Sequence, residues 1–328
     1  MIWIRNEESH DPYFNLALEE FAFRSLGAEE PVAMIWQNEP TIVVGRWQNT
    51  LEEIDKEYVD ANGIHVVRRI TGGGAVYHDL GNVNYTYITP TEDKGDFRFA
   101  DFVEPVCAAL REMGLDAGLS GRNDITVAGA KVSGNAEHKD RGRLLHHGCI
   151  LYNADLSVVA RCLKVKPDKF ESKAIKSVRS RVANIADFLP DPPAIGDFKA
   201  RLLAALTKDG AEEYKLGDAE LASVRELAAL KYRTWDWVYG QSPKFNTVKR
   251  KRFPIGSVEL KLHVENGVIR TCSVYGDFFT NGDPGRIGRA LTGVRLEKDD
   301  IAAALAPVDV ADAIPGVTAD DITDLAVY

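Results

Sequence analysis

Three short stretches of the chain gather residues that can hold and activate anions. In the first, Arg68-Arg69-Ile70-Thr71 runs into Gly72-Gly73-Gly74 and on to Ala75-Val76-Tyr77-His78-Asp79. Consecutive glycines after a strand let backbone N–H groups come close to an anion. An arginine just upstream can fork onto phosphate or carboxylate oxygens. The stretch lacks both the Lys-Ser/Thr ending of a P-loop and the spacing of a dinucleotide fingerprint, and a glycine triplet alone serves equally as a flexible turn. The second stretch is Gly121-Arg122-Asn123-Asp124 followed by Gly129-Ala130-Lys131-Val132-Ser133-Gly134-Asn135-Ala136. A single lysine among small neighbours has a compact ammonium that can sit between a carboxylate and the phosphate it attacks. Asn123 and Asp124 can orient a nucleotide or hold Mg2+ through oxygen; a solvated hairpin with an exposed lysine fits the same residues. The third stretch is His146-His147-Gly148-Cys149-Ile150-Leu151. Strand alternation sets His147, Cys149 and Leu151 on one face and His146 and Ile150 on the other. That leaves two readings open for Cys149: a nucleophile beside His147 and a small buried thiol. No further ligand stands at a zinc spacing.

The elements that must position these residues are legible in outline. Asp11-Pro12 opens a helix over about Asn15–Leu26, and Ala33–Trp36 and Thr41–Val44 read as paired strands around Asn38-Glu39-Pro40. An amphipathic helix over Leu51–Ala61 stops at Asn62-Gly63, and the strand His65–Ile70 delivers the glycine triplet. Asn84–Ile88 reads as a strand, Phe99–Met113 as a helix, and Ile125–Leu156 as antiparallel hairpins. Pro190–Pro193 is a connector, followed by helical patterns at Phe198–Leu206 and Ala219–Ala229. Lys249-Arg250-Lys251-Arg252 reads as a basic turn. Ser257–Val264 and Gly267–Tyr275 form a hairpin through Glu265-Asn266-Gly267, and two helices near 284–292 and 297–305 finish the chain. A domain boundary is expected near Asn246–Arg252.

Length, charge and cysteine usage narrow the classes. A chain of 328 residues fits one large domain and a smaller one. Its net charge of −9 opposes non-specific binding to nucleic acid or an anionic membrane. Cys107, Cys149, Cys162 and Cys272 have no metal spacing and are too few for a disulfide framework, which fits a reducing compartment. The amino terminus shows no cleavable leader and no stretch is apolar enough for a membrane span. The expectation is a soluble cytoplasmic protein.

Order and company make these stretches specific. The Arg-Arg-x-Thr-Gly-Gly-Gly-Ala-Val-Tyr-His-Asp-x-Gly-Asn run over 68–82, Gly-Arg-Asn-Asp at 121–124, Lys-Val-Ser-Gly-Asn-Ala at 131–136 and His-His-Gly at 146–148 together resemble the lipoate–protein ligase A family. The opening run at 11–20 and Ser177-Val-Arg-Ser-Arg-Val-Ala-Asn184 match as well, so the likeness spans essentially the whole chain. It implies an α+β fold: a biotin/lipoate ligase catalytic domain over residues 1–246, with mixed, largely antiparallel sheets flanked by helices, and a small α/β accessory domain over 247–328. It also implies a two-step reaction. Lipoate attacks the α-phosphate of ATP, with Mg2+, to give lipoyl-AMP, and an acceptor lysine then takes the acyl group. By matching position, Lys131 would contact the carboxylate and then the lipoyl-AMP linkage as the catalytic residue. Arg69, Gly72, Gly73, Gly74, Ala75, Val76, Tyr77, Asn123, Asp124, Ser133, Gly134 and Ala136 would surround ATP or lipoyl-AMP. His147 and Gly148 would join Lys131 and Arg69 around lipoate, Asp124 would take Mg2+, and apolar residues at Val43–Val44 and Val66–Ile70 would line a tunnel or plain core. The implied acceptors are lipoyl domains of 2-oxoacid dehydrogenase acyltransferase subunits and a glycine-cleavage H-type protein, with no nucleic acid or membrane partner. One departure stands out: Cys149 occupies a position where such ligases usually carry threonine. It keeps two alternatives open, an ATP-independent octanoyl- or lipoyltransferase with a cysteine nucleophile (Cys149, or more weakly Cys162) and a non-catalytic carrier-binding module.

Overall fold

The computed structural model describes residues 1–6, 9–26, 30–91, 98–163, 182–207, 210–240 and 246–327. In chain order these begin with β1 (Ile2–Arg5), α1 (Pro12–Ser25), β2 (Val32–Trp36), β3 (Thr41–Val44), α2 (Thr50–Glu53), α3 (Lys56–Ala61), β4 (His65–Arg68), β5 (Val76–His78) and β6 (Asn82–Pro90). Then come α4 (Phe99–Glu112), β7 (Ala117–Ser120), β8 (Asp124–Val127), β9 (Ala130–Asp140), β10 (Arg143–Leu151), α5 (Leu156–Cys162), α6 (Ile195–Leu206), β11 (Glu212–Tyr214) and α7 (Asp218–Leu227). The last are α8 (Trp235–Val238), β12 (Thr247–Phe253), β13 (Gly256–Glu265), β14 (Val268–Gly276), α9 (Gly285–Leu291), α10 (Lys298–Leu305), α11 (Val310–Ala313) and α12 (Ala319–Val327). Two compact units result: Met1–Val43 with Glu53–Val67 and Val76–Thr234, and Val44–Glu52 with Arg68–Ala75 and Trp235–Tyr328.

The first unit is built on a mixed sheet in the order β11-β1-β2-β6-β10-β9-β8-β7. β1 runs parallel to both neighbours and the rest of the sheet is antiparallel. Side chains alternate across a strand, and one face buries Val83, Tyr85, Ile125 and Ile150 against Val106 and Leu110 of α4 and Phe198 of α6. Each such side chain taken out of water stabilises the fold by about 1.5–3 kcal/mol. α1 starts where Asp11 accepts from the Tyr13 N–H and Pro12 occupies the first turn. It buries Leu16 and Phe23 together with two acids, Glu19 and Glu20. Glu20 is held by Arg24, Lys231 and Tyr232, since a charge is buried only with partners.

The second unit is smaller. β12, β13 and β14 form an antiparallel sheet whose Val258, Leu260 and Ile269 pack with Ile287 and Leu291 of α9 and Ile301 of α10. The hairpin turns on Asn266 and Gly267, both at positive φ (52° and 75°), as the Asn-Gly pair predicts.

Several expectations are corrected. β2 and β3 do not pair with each other: β2 lies between β1 and β6, whereas β3 joins β4 and β5 in a separate sheet. The link is pinned because Asn15 donates to the Gln37 carbonyl and the Asn38 side chain. Leu51–Ala61 is two helices, because Ile54 bridges to Leu163 and Asp55 caps a fresh start at Lys56 by accepting from the Tyr58 N–H. Lys249–Arg252 is strand rather than turn, with Lys251 paired to Asp321 and Lys249 to the Val327 carbonyl. Of the Ser177–Asn184 match, residues 177–181 lie outside the described residues. None of the four cysteines is joined in a disulfide, and among the described residues no helix is long and apolar enough to cross a membrane.

Candidate active site

Lys131 owes its position to an irregularity in one hairpin. β8 and β9 pair Asp124 with Gly134 and Ile125 with Ser133, but Thr126 then faces Lys131, so Val132 is an extra residue in the ladder. In an unbroken register Lys131 would oppose Val127 and enter the core face; the bulge turns it to the other side. There Nζ lies 2.8 Å from Asp124 Oδ1, with the two side chains 38% and 35% exposed. A Cβ on Gly134 would stand 3.2 Å from that Nζ, so the glycine leaves room for the lysine to lie across the strand. The returning chain runs alongside, bridging Val182 to Lys131 and bonding the Ala183 N–H to the Lys131 carbonyl at 3.0 Å.

Registers across the sheet decide which expected residues share that face. Asp124, Gly134, Cys149, Asn84 and Trp36 form one row across five strands, and Ala136, His147 and Thr86 the next. Lys131, Asp124, Gly134, Ala136 and His147 are therefore brought to one face. Ser133, paired with Ile125 and Ile150, is buried on the other. Gly148 sits between Tyr85 and Asn135 on that second face, where a Cβ would stand 2.2 Å from Asn135 Oδ1 and 2.4 Å from Tyr85 Cε1. Its lack of a side chain is a packing requirement. Asn123 locks the hairpin: its amide donates to the Asn135 carbonyl at 2.6 Å, and Asn135 returns the bond to the Asn123 carbonyl at 2.9 Å. His146 is fully buried at 2.9 Å from Glu137, and burial, outweighing that carboxylate, lowers its pKa.

The Lys131 face continues into a buried polar network. Trp36 Nε1 donates to Thr86 Oγ1 (2.9 Å), Thr86 donates to Glu19 Oε1 (2.6 Å), and His147 Nδ1 lies 2.9 Å from the same oxygen. A carboxylate accepts only, so this contact fixes His147 as the Nδ1–H donor. Cys149 is half-buried and accepts a bond from the Asn82 amide at 3.1 Å. Asn84 is 1% exposed, and neither amide atom has a hydrogen-bond partner among the described residues. The sequence reading passed over Glu19, Trp36, Asn84 and Thr86. A signal was present in Asn82, Asn84 and Thr86, polar residues at period two between the apolar or aromatic Val83, Tyr85 and Tyr87.

The glycine turn belongs to the second unit. Arg68, 1% exposed, donates to the carbonyls of Gly45, Arg46, Gln48, Trp237 and Val238 and to Thr50 Oγ1. Burial, with Arg46 nearby, pushes its pKa down to about 10, so it stays charged at neutral pH. Arg69 is turned under the loop, donating to Thr71 Oγ1 (2.9 Å) and to the carbonyls of Gly72 (2.6 Å) and Gly74 (2.8 Å). Glycine is required at 72 because a Cβ would meet the Phe278 carbonyl at 2.4 Å, and at 73 because φ is +89°. The N–H groups of Gly74 and Ala75 carry no hydrogen bond among the described residues. Val76 and Tyr77 follow in β5, paired with Val43 and Ile42; Val43, Val44, Val66, Val67 and Ile70 are buried. Tyr77 is buried too, and burial with Asp79 nearby raises its pKa.

No group of three metal-binding side chains occurs among the described residues. Asp124 is a single carboxylate with one oxygen on Lys131. That suits Mg2+, which keeps water and phosphate oxygens and takes one or two carboxylates.

Residues 11–207 match the family described as lipoyl protein ligase A/B catalytic domain, and 242–325 match the bacterial lipoate protein ligase C-terminus. The chain is 44% identical over 329 residues to the lipoate-protein ligase LplJ of Bacillus subtilis, covering 99% of each. Its structure is similar to that of P. falciparum LipL1 in complex with lipoate, with a TM-score of 0.79, 25% identity and 99% of each chain covered. It is also similar to a lipoate-protein ligase A bound with ATP, with a TM-score of 0.65 and 30% identity over 73% of this chain and 98% of the other.

Proposed function

The chain belongs to the lipoate–protein ligase family, and from that premise we propose how its own residues carry out the reaction. It is an ATP-dependent lipoate–protein ligase: it activates lipoate as lipoyl-AMP and passes the lipoyl group to a lysine of an acceptor protein. The full-length likeness at 44% identity carries this reading.

The chemical obstacle is the meeting of two anions, a carboxylate and a polyphosphate, whose repulsion grows as water is excluded. A fixed positive charge aimed at the reacting oxygens offsets it. Lys131 is the group proposed for that role. Asp124, 2.8 Å from its ammonium, holds the charge in place until the lipoate carboxylate takes over part of the contact. Lys131 then stays with the carbonyl end of the mixed anhydride while the acceptor amine attacks and AMP leaves. The Gly74–Tyr77 segment is proposed to receive nucleotide phosphate on the N–H groups of Gly74 and Ala75. Arg69, which donates to the Thr71 hydroxyl and to the carbonyls of Gly72 and Gly74, would act by holding the loop that presents those N–H groups and adding its charge. Gly72 and Gly73 shape the loop, and Asn123 keeps the Asp124 hairpin rigid. Gly134 and Ala136 keep the face beside the ammonium clear, and His147 lines it. Ser133 and Gly148 support the same strands from the opposite side. Asp124 would be the one protein oxygen for Mg2+, which supplies charge neutralisation at the phosphates when bound.

The acceptors proposed are lipoyl domains of 2-oxoacid dehydrogenase acyltransferase subunits and the glycine-cleavage H-type protein, met in the cytoplasm. The test is direct: purified protein with lipoate, Mg2+-ATP and a lipoyl domain should release pyrophosphate and raise the acceptor mass by one lipoyl group per lysine. Acceptor modification from an acyl donor with no ATP consumed would overturn the adenylate route.

A further inference from the structure

The buried amide of Asn84 has no explanation in the packing of the protein alone. Its side chain is 1% exposed, and both Nδ2 and Oδ1 are without a hydrogen-bond partner among the described residues. Buried polar atoms are nearly always paired, so the unpaired amide donor Nδ2 points to an acceptor atom that binds beside it. The position of Asn84 says which part of the substrate that atom belongs to. It stands in the row Asp124–Gly134–Cys149–Asn84–Trp36. Exposure falls along this row, from Asp124 at 35% and Lys131, lying over Gly134, at 38% to Asn84 at 1% and Trp36 at 3%. The carboxylate must be reached by both the nucleotide and the acceptor lysine, so it belongs at the open end, with the tail directed toward the closed one.

Length agrees. Gly134 and Asn84 are two strands apart, about 9.6 Å at the usual strand spacing. An extended eight-carbon acyl chain, with C–C bonds of ~1.5 Å, spans roughly 9 Å. The far part of that chain is where lipoate differs from a plain fatty acid, because it carries the two ring sulfurs.

We propose that Asn84 is a specificity-determining residue of the ligase, donating its Nδ2–H to a sulfur of the dithiolane ring and so favouring lipoate over acyl chains without sulfur. Sulfur is a weak acceptor, but a hydrocarbon offers this amide nothing, and a buried donor left unmade disfavours the competing ligand. The inference rests on the ligase reading above.

The test compares lipoate, octanoate and 5-cyclopentylpentanoate, the last keeping the ring shape without sulfur. Wild-type protein is expected to use lipoate about tenfold better, as kcat/KM for pyrophosphate release, than the cyclopentyl acid, the equivalent of ~1.4 kcal/mol. In Asn84→Leu, similar in size but lacking the amide, that ratio is expected to fall to about one. A ratio is independent of the folded fraction, and the wild-type comparison stands even if the variant does not fold. Equal use of lipoate and the cyclopentyl acid by wild type, or an unchanged lipoate-to-cyclopentyl ratio in Asn84→Leu, overturns the proposal. A wild-type protein releasing no pyrophosphate with any acid instead overturns the ligase reading.

Discussion

Replacing Lys131 with alanine should separate chemistry from stability. The ion pair it makes with Asp124 is short, 2.8 Å, but both side chains are more than a third exposed. Exposed pairs of this kind contribute about 0.2–1 kcal/mol. Removing the pair should therefore lower the melting temperature by no more than about 4 °C, given the shift of roughly 2–4 °C per kcal/mol for large domains. The effect on the reaction should be far larger. Deleting one preorganised donor to a developing charge typically costs about 2.7–4 kcal/mol, or roughly 10²–10³ in rate. The assay is pyrophosphate release with saturating lipoate and Mg2+-ATP, run beside a thermal melt followed by circular dichroism. Asp124→Asn keeps the ammonium and should lose less activity than Lys131→Ala. A Lys131→Ala protein that releases pyrophosphate at a near-normal rate would refute the reasoning. A collapse of the melting temperature would refute it too, by making the lysine a structural residue.

Arg68→Met should destabilise the protein by at least about 1–3 kcal/mol, the usual effect of leaving a buried acceptor unsatisfied, because five carbonyls lose their shared donor; urea denaturation measures it. Gly148→Ala should lower stability by about 1–3 kcal/mol through overpacking, since its Cβ would fall 2.2 Å from Asn135 Oδ1; an unchanged melting temperature would contradict the register described. Glu20 gives a pH signature. Burial raises its pKa, but the charge of Lys231 and the hydrogen bonds from Lys231, Tyr232 and Arg24 outweigh it, so the folded value lies below the ordinary 4.5. Its contribution is thus complete above pH 4.5 and fades as pH falls through the lower folded value. The stability gap between wild type and Glu20→Gln should be constant near neutrality and shrink in acid; a gap that widens in acid would show the sign to be wrong.

Features coded by neighbouring residues were legible. Glu265-Asn266-Gly267 specified its hairpin because an Asn-Gly turn needs only its own two positive φ values, and Asp11-Pro12 marked the start of α1 because cap and first turn are adjacent in the chain. The pairing of β2 with β3 was misread because sheet partners are chosen by contacts far along the chain: β2 found β6, some fifty residues on. Lys249–Arg252 was misread as a turn because its balancing groups lie at Glu259, Asp321 and Val327.

The sequence by itself determined the family and the chemistry, since the order of the glycine triplet, Gly-Arg-Asn-Asp, the lysine strand and His-His-Gly is a linear property. Only the tertiary structure decided which atoms those residues offer. One extra residue in a strand ladder reverses every following side chain, and that bulge turned Lys131 out of the core. Strands β2, β6 and β10 and helix α1, drawn together by burial, then created the polar network on the same face, in which Glu19, Thr86 and Asn84 became neighbours of His147 and Cys149 across long sequence separations.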